Sequence, residues 1–360
     1  MNLRLFIFVW VAIMAVAAKY VKVYQKVNVC GTSVRRVHII FALIAFLPVI
    51  YLAAFTRPRY DTVLYMHVYN GFPTSVSGLL SRISETSEKG WAIFQWLIKR
   101  IFNGSQTAFR VSLVAIHSIP ILFFFRKYSQ NFMMSLYLFL ACGCHFAWMM
   151  NGLRQYVAVC IILLSVPFIL KKKYVPTVLL VLLASTFHTS ALIMIPIIFV
   201  AQGKAWNKKT VICILGAVVF TYLVSQYTGL LDSMVEESQY EGAFEAAREF
   251  GDDGVNPIRV LVYAVPVVLS FIGRKFIEQD DDPIINLSVN MSIVTVCLYL
   301  VAMTSSGILI GRLPIYTSLF CYILLPYVVN RIFKRNIAYL VNLLMVVLFL
   351  AYYLVENGGF

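Results

Sequence analysis

The sequence predicts an all-α, polytopic membrane protein, and three observations carry that prediction. Hydrophobic residues fill 61% of the 360 positions and charged residues only 13%, about half the charged share of a typical soluble domain. Runs such as "LRLFIFVWVAIMAVAA" and "VHIIFALIAFLPVIYLAAF" approach the ~20 apolar residues that a helix needs to cross a bilayer core. A membrane β-barrel would instead show alternating segments of ~10 residues.

The net charge of +14 reads as membrane topology rather than as nucleic-acid binding. Lys and Arg collect in cytoplasmic loops and favour anionic lipid headgroups. The seven cysteines are scattered through apolar segments and make no disulfide framework. "CGCH", Cys142 to His145, lacks a second ligand pair at metal spacing, so helix packing is expected there and neither a metal nor a cofactor.

Apolar segments fall near 3–18, 37–55, 105–125, 131–150, 153–170, 208–229, 257–273, 284–306, 313–329 and 336–354. They predict about ten membrane-spanning helices in one integral membrane domain covering 1–360. "AVAAK" after the first run loosely resembles a signal-peptide cleavage site. However, Lys19, Lys22, Lys26, Arg35 and Arg36 follow that run instead of preceding it. The first segment is therefore expected to be an uncleaved helix with its N-terminus outside.

Residues 174–202 would span ~43 Å as one straight helix at 1.5 Å per residue, too long for a ~30 Å core. The stretch holds Pro176, Pro196 and a polar "STFHTS" centre, with Lys171–Lys173 before it and Lys204, Lys208 and Lys209 after it. With both flanks cytoplasmic it becomes a re-entrant-like hairpin of two short helices, His188 at its apex. This choice also gathers Arg126/Lys127, Arg274/Lys275 and Arg331/Lys334/Arg335 inside, making 18 of the 30 Lys and Arg. A single crossing would put the last two clusters outside, against the positive-inside rule.

Two outer loops follow, near 56–104 and 230–256. The first contains "SEKGWAIFQWLIKRIF", where Trp91, Phe94, Trp96 and Leu97 beside Lys99 and Arg100 suggest a helix lying at the interface. In the second, Glu237, Glu241, Glu245 and Glu249 recur every four residues opposite Tyr240, Phe244, Ala247 and Phe250. That pattern predicts another amphipathic helix, its acids a solvated face. No inverted repeat of the transporter kind is evident.

With this topology Arg57, Arg59, Asp61, Glu88, Asn151, Arg154, Gln155, His188, Arg259 and Arg312 all fall at the outer face. A charge within the membrane costs at least ~2.5 kcal/mol, so it usually has a partner or a task. Arg154 reads either as a helix-start residue snorkelling to the interface or as a clamp for phosphate or carboxylate. Asn151 and Gly152 before it supply a cap and a turn, aiming the helix N-terminus at an anion. Arg312, in "GRLPIYTSLF", sits in a similar place. His188 is either a site residue or a hydrogen-bond partner of a neighbouring backbone. Asp61 reads as a base or as a local salt bridge, and Glu88 as a base or a first-turn acid after Ser87. Trp91, paired with Trp96, suits interfacial anchoring or a sugar face. A phosphate-binding loop, a zinc-protease helix and a nucleophile elbow are all missing from the sequence. A lipid-linked donor is therefore expected rather than a nucleotide.

The stretches "RPRYDTVLY" (57–65), "SEKGW" (87–91), "NGLRQYVAV" (151–159), "LASTFHTSALIMIPI" (183–197) and "GRLPIYTSLF" (311–320) resemble, in order, the EpsG family. That family is similar to the Wzy-type oligosaccharide repeat-unit polymerases of bacterial surface polysaccharides. "GLRQ…A" and "FHTSAL" are the most specific elements. The resemblance implies a GT-C-like membrane glycosyltransferase in the bacterial inner membrane, its active site facing the periplasm or exterior. Its implied partners are undecaprenyl-diphosphate-linked oligosaccharides, the lipid bilayer and a separate chain-length regulator, with no nucleic acid. Transfer would run from the lipid-linked growing chain to a sugar hydroxyl of a lipid-linked acceptor. On this reading Arg154 and Arg312 stabilise the leaving diphosphate, assisted by Arg57, Arg59 or Arg259. His188, Asp61 or Glu88 serves as base, with Asp61 ranked slightly above Glu88. Asn151 and Gln155 orient polar groups, and Tyr65, Trp91 and Tyr316 are weaker sugar contacts. Two alternatives stay open: a flippase or exporter of the same lipid-linked sugars, and a polysaccharide ligase or sugar O-acyltransferase.

Overall fold

The structure is a computed structural model that describes residues 3–21, 23–29, 32–56, 61–226 and 254–356. The chain divides into two compact units, residues 1–195 with 341–360 and residues 196–340. The predicted amphipathic helix carrying Glu237 to Glu249 lies outside the described residues, as do Arg57 and Arg59.

The first unit opens with α1 (Leu3–Tyr20), the strands β1 (Tyr24–Val29) and β2 (Thr32–Val37), and α2 (Ile39–Phe55). The strands form an antiparallel hairpin in which Lys26 faces Arg35 and Gln25 faces Arg36, in a stretch expected only as a basic loop. Its hold on the helices is reciprocal. Arg36 Nε donates to the Lys127 carbonyl at 3.0 Å, and Arg126 Nε donates to the Val37 carbonyl at 2.9 Å. The alternation in "YQKVNV" and "TSVRRV" was the available signal, obscured by the charge it carries.

Three short helices follow, α3 (Asp61–Gly71), α4 (Val76–Glu85) and α5 (Lys89–Ile101), then α6 (Gln106–Tyr128). Ser105 caps α6 by accepting from the Ala108 N–H at 3.2 Å, a typical use of serine at that position. The apolar stretch 131–150 is broken into α7 (Phe132–Ala141) and α8 (Cys144–Trp148) at Gly143. Gly143 has φ +69°, which a residue with a Cβ adopts only at a cost. Next come α9 (Leu153–Leu170) and α10 (Tyr174–Ser185), a 3-10 turn at Thr189–Ile193 and α11 (Met194–Ala201). The overlong 174–202 segment is thus two short helices with His188 at the break, as its length requires. The helix α6 packs on α2 and α9, and α9 on α10.

The second unit takes α11 from Pro196 and contains α12 (Lys208–Gln226), α13 (Pro257–Ile272), α14 (Arg274–Asp280), α15 (Pro283–Met303), a 3-10 segment at Ile310–Tyr316 and α16 (Leu319–Ile332); α17 (Arg335–Glu356) belongs to the first unit from Val341 onward. The centre of the second unit is α15, which packs against α12, α13 and α16. Asp282 caps α15, and Pro283 stands at its first turn, where a missing N–H costs nothing. Asn286, Ser288, Asn290, Ser292 and Thr295 of α15 are buried, and all make hydrogen bonds. Asn290 donates to the Ala201 and Lys204 carbonyls at 2.8 and 3.0 Å and accepts from the Trp206 N–H at 3.1 Å. Burial of polar groups in an apolar core is tolerated only with such partners.

Among the described residues, α6, α9, α15 and α17 are each long and apolar enough to cross a membrane. Two bent pairs, α13 with α14 at 71° and Ile310–Tyr316 with α16 at 60°, raise the number to six if each is one span. Shorter apolar helices at 6–20, 39–55 and 132–141 make up most of the difference from the ten apolar segments of the sequence. The chain is an all-α polytopic membrane protein.

Candidate functional site

Arg154 stands in the first turn of α9, and four stretches of the first unit meet around it. Its Nε donates to the Tyr65 hydroxyl of α3 at 3.1 Å, and its guanidinium carbon lies 5.7 Å from the Tyr65 ring centroid. Its Nη1 makes an ion pair and hydrogen bond with the Glu88 carboxylate at the start of α5. The Arg154 side chain is 40% exposed and that of Glu88 only 10%. A charge so buried is sustained by its partner, because an unpaired carboxylate would carry its full desolvation penalty. Burial raises the Glu88 carboxyl above its ordinary value; the Arg154 charge and hydrogen bond and the Thr189 backbone N–H pull it back in part.

The break after α10 forms the fourth side. The Thr186 carbonyl accepts from the Gly90 and Trp91 N–H groups at 2.9 and 3.3 Å, so backbone just after α10 satisfies the first donors of α5. A Cβ on Gly90 would collide with the Thr186 hydroxyl and approach the Phe187 ring to 3.1 Å. Only glycine allows this approach. His188 lies between Thr186, bound to α5, and Thr189, bound to Glu88. Its half-buried ring has Nδ1 2.7 Å from the Ser190 hydroxyl.

Several expected roles need correction. Glu88 is the N-cap residue of α5 but makes no side-chain capping bond; its carboxylate is committed to Arg154. Asn151 does not cap α9, whose N-cap is Gly152 without a side-chain bond. Gly152 has negative φ, and it is glycine because a Cβ there would run into the Trp148 ring. Trp91 is 6% exposed and packs edge-on to Tyr65 at 5.7 Å and Phe109 at 6.0 Å, so it is core beneath the site and not an open sugar face. The exposed row of α5 is Lys89, Ile93, Leu97 and Ile101. Lys99 turns inward, its ammonium donating to the Tyr69, Asn70 and Phe72 carbonyls at 3.0, 2.6 and 2.7 Å.

Of the remaining expected residues, Asp61 is exposed at the start of α3, one turn before Tyr65 on the same flank. Gln155 is buried and Asn151 half-buried. Arg259 and Arg312 belong to the second unit and are half-buried. A Cβ on Gly311 would meet the Val255 Cγ2 at 2.7 Å, so the segments bearing Arg312 and Arg259 lie side by side. Tyr316 is fully buried, leaving no ring face open to a sugar. Sequence reasoning missed Thr186, Thr189, Gly90 and Lys99. The only trace of their roles was a glycine in the first turn of a helix.

Fold and site together define a polytopic helical membrane protein with a half-exposed, ion-paired arginine at the first turn of a spanning helix. The model of the EpsG family matches residues 39–357, and the chain belongs to that family. Comparison with curated proteins and with solved structures finds no match. Membership of the EpsG family supports a polysaccharide polymerase-like role in general terms.

Proposed function

We propose that this protein polymerises undecaprenyl-diphosphate-linked oligosaccharide repeat units at the outer face of the bacterial inner membrane. The observation that carries the reading is Arg154, steadied by Tyr65 and Glu88 and yet 40% exposed, beside the break after α10 with His188. The placement outside rests on the lysine clusters flanking the 174–202 segment.

In the reaction, an acceptor sugar hydroxyl attacks the anomeric carbon of the growing chain. The new carbon–oxygen bond forms as the bond from that carbon to the diphosphate oxygen breaks, and its electron pair leaves with the lipid diphosphate. The Arg154 guanidinium and the Tyr65 hydroxyl stabilise that charge, an effect commonly worth ~10²–10³ in rate for one well-placed donor. The acceptor's proton passes to a carboxylate, and the raised Glu88 carboxyl suits this better than exposed Asp61. His188 orients the acceptor. A role for Arg57, Arg59, Arg259 and Arg312 as further cationic groups rests on the sequence resemblance alone.

The test is reconstitution of the whole chain in liposomes with lipid-diphosphate repeat units and no nucleotide. A ladder of lengthening glycans, lost in Arg154→Ala and His188→Ala variants that still fold, is the expected result. Labelled lipid crossing the bilayer without any ladder would replace the polymerase with a transporter.

A further inference from the structure

Arg154 and Glu88 each have a second anchor. Arg154 keeps the Tyr65 hydroxyl at 3.1 Å and the Tyr65 ring beneath its guanidinium. Glu88 keeps the Thr189 backbone N–H, three residues after the Thr186 carbonyl that accepts from Gly90 and Trp91. If the ion pair opens, Arg154 keeps Tyr65, while Glu88 is left with the Thr189 backbone N–H alone against its burial. The pair is also lopsided: the arginine is 40% exposed and the glutamate 10%. An anion arriving from the open side reaches the guanidinium first and meets the carboxylate behind it. Like charges brought into such contact repel strongly, so the two anions cannot share Arg154 at full strength.

We propose that Glu88 and the lipid diphosphate are exchangeable partners of Arg154. The incoming diphosphate takes the guanidinium and releases Glu88 onto its Thr189 anchor. The released carboxylate oxygen then accepts the proton that the acceptor hydroxyl loses. After transfer, Glu88 passes that proton to water at the open side, and the restored carboxylate returns to Arg154 and expels the product diphosphate. Glu88 thus couples donor binding to activation of the acceptor, and it weakens product binding enough for turnover. This rests on the reading of Arg154 as the diphosphate-binding group.

The exchange predicts an affinity change of unusual sign. Binding of undecaprenyl diphosphate would be measured on the purified full chain in detergent for the wild type and for Glu88→Gln, Glu88→Ala, Glu88→Asp and Arg154→Ala. Removing the competing carboxylate in Glu88→Gln should tighten binding on the order of tenfold, and Glu88→Ala should tighten it too. Glu88→Asp, which keeps the charge, should stay near the wild type. If both charge-removing variants bind more weakly or unchanged, Glu88 merely orients Arg154 and the exchange is wrong. If one of them does not fold, the other decides. If the wild type and Arg154→Ala bind the lipid equally, the diphosphate reading itself fails and the exchange fails with it.

Discussion

Glu88 and Arg154, 66 residues apart in sequence, form an ion pair that joins the start of α5 to the start of α9. The two ends differ in what they lose when the partner is removed. Arg154→Ala strands a buried carboxylate, whereas Glu88→Gln leaves a half-exposed guanidinium still bonded to Tyr65. Arg154→Ala should therefore cost more stability, about 1–3 kcal/mol once the exposure of the arginine is discounted. The double variant Arg154→Ala/Glu88→Gln should recover part of that loss. Thermal unfolding in detergent reads the cycle, and equal costs for both single variants would argue against a desolvated pair.

The pH dependence follows from the raised Glu88 carboxyl. A base must be ionised, so polymerisation should fall as pH drops through a value above the ordinary 4.5. In the stability linkage, a carboxyl raised in the folded chain favours folding at low pH. That contribution fades as pH rises through the unfolded and then the folded value. A rate profile whose acid limb lies at or below 4.5 would exclude Glu88 as the base.

Gly90→Ala tests the docking of the break after α10 on α5. Its Cβ would strike the Thr186 hydroxyl, which forces that backbone away, at about 1–3 kcal/mol for overpacking a tight contact. Thr186→Ala should partly rescue the variant by removing the struck atom. Melting temperature and polymerisation rate should recover together, because the same contact positions Thr189 and His188.

Lys99→Met tests the support under Tyr65. The ammonium uses its three donors on three carbonyls at the end of α3, and charged hydrogen bonds contribute ~1.5–3 kcal/mol each at best. With α3 loosened, Tyr65 should no longer steady Arg154. A lower melting temperature with a raised KM is expected, and an unchanged KM would show that α3 does not position the site.

The legible parts of this molecule were those written in local chemistry. The broken 174–202 segment could be read because its length, prolines and lysine flanks conflict with a single span. Arg154 stood out as a charge in an apolar region. Its partner did not: nothing in "SEKGW" says which distant guanidinium that carboxylate meets. The aromatic face of α5 was visible as a stripe, yet periodicity cannot say which of two faces turns inward. Trp91 faces the core and Lys99 the end of α3, while Ile93 and Leu97 remain outside. The hairpin of β1 and β2 was hidden by cross-strand like charges, which ordinarily disfavour pairing.

The most direct test of the central claim counts bonds against leaving groups. In liposomes holding the full chain and lipid-diphosphate repeat units, each new glycosidic bond should release one undecaprenyl diphosphate. Both signals should vanish together in Arg154→Ala. Lipid diphosphate translocated without any bond formed, or bond formation undiminished in a folded Arg154→Ala variant, would contradict the account.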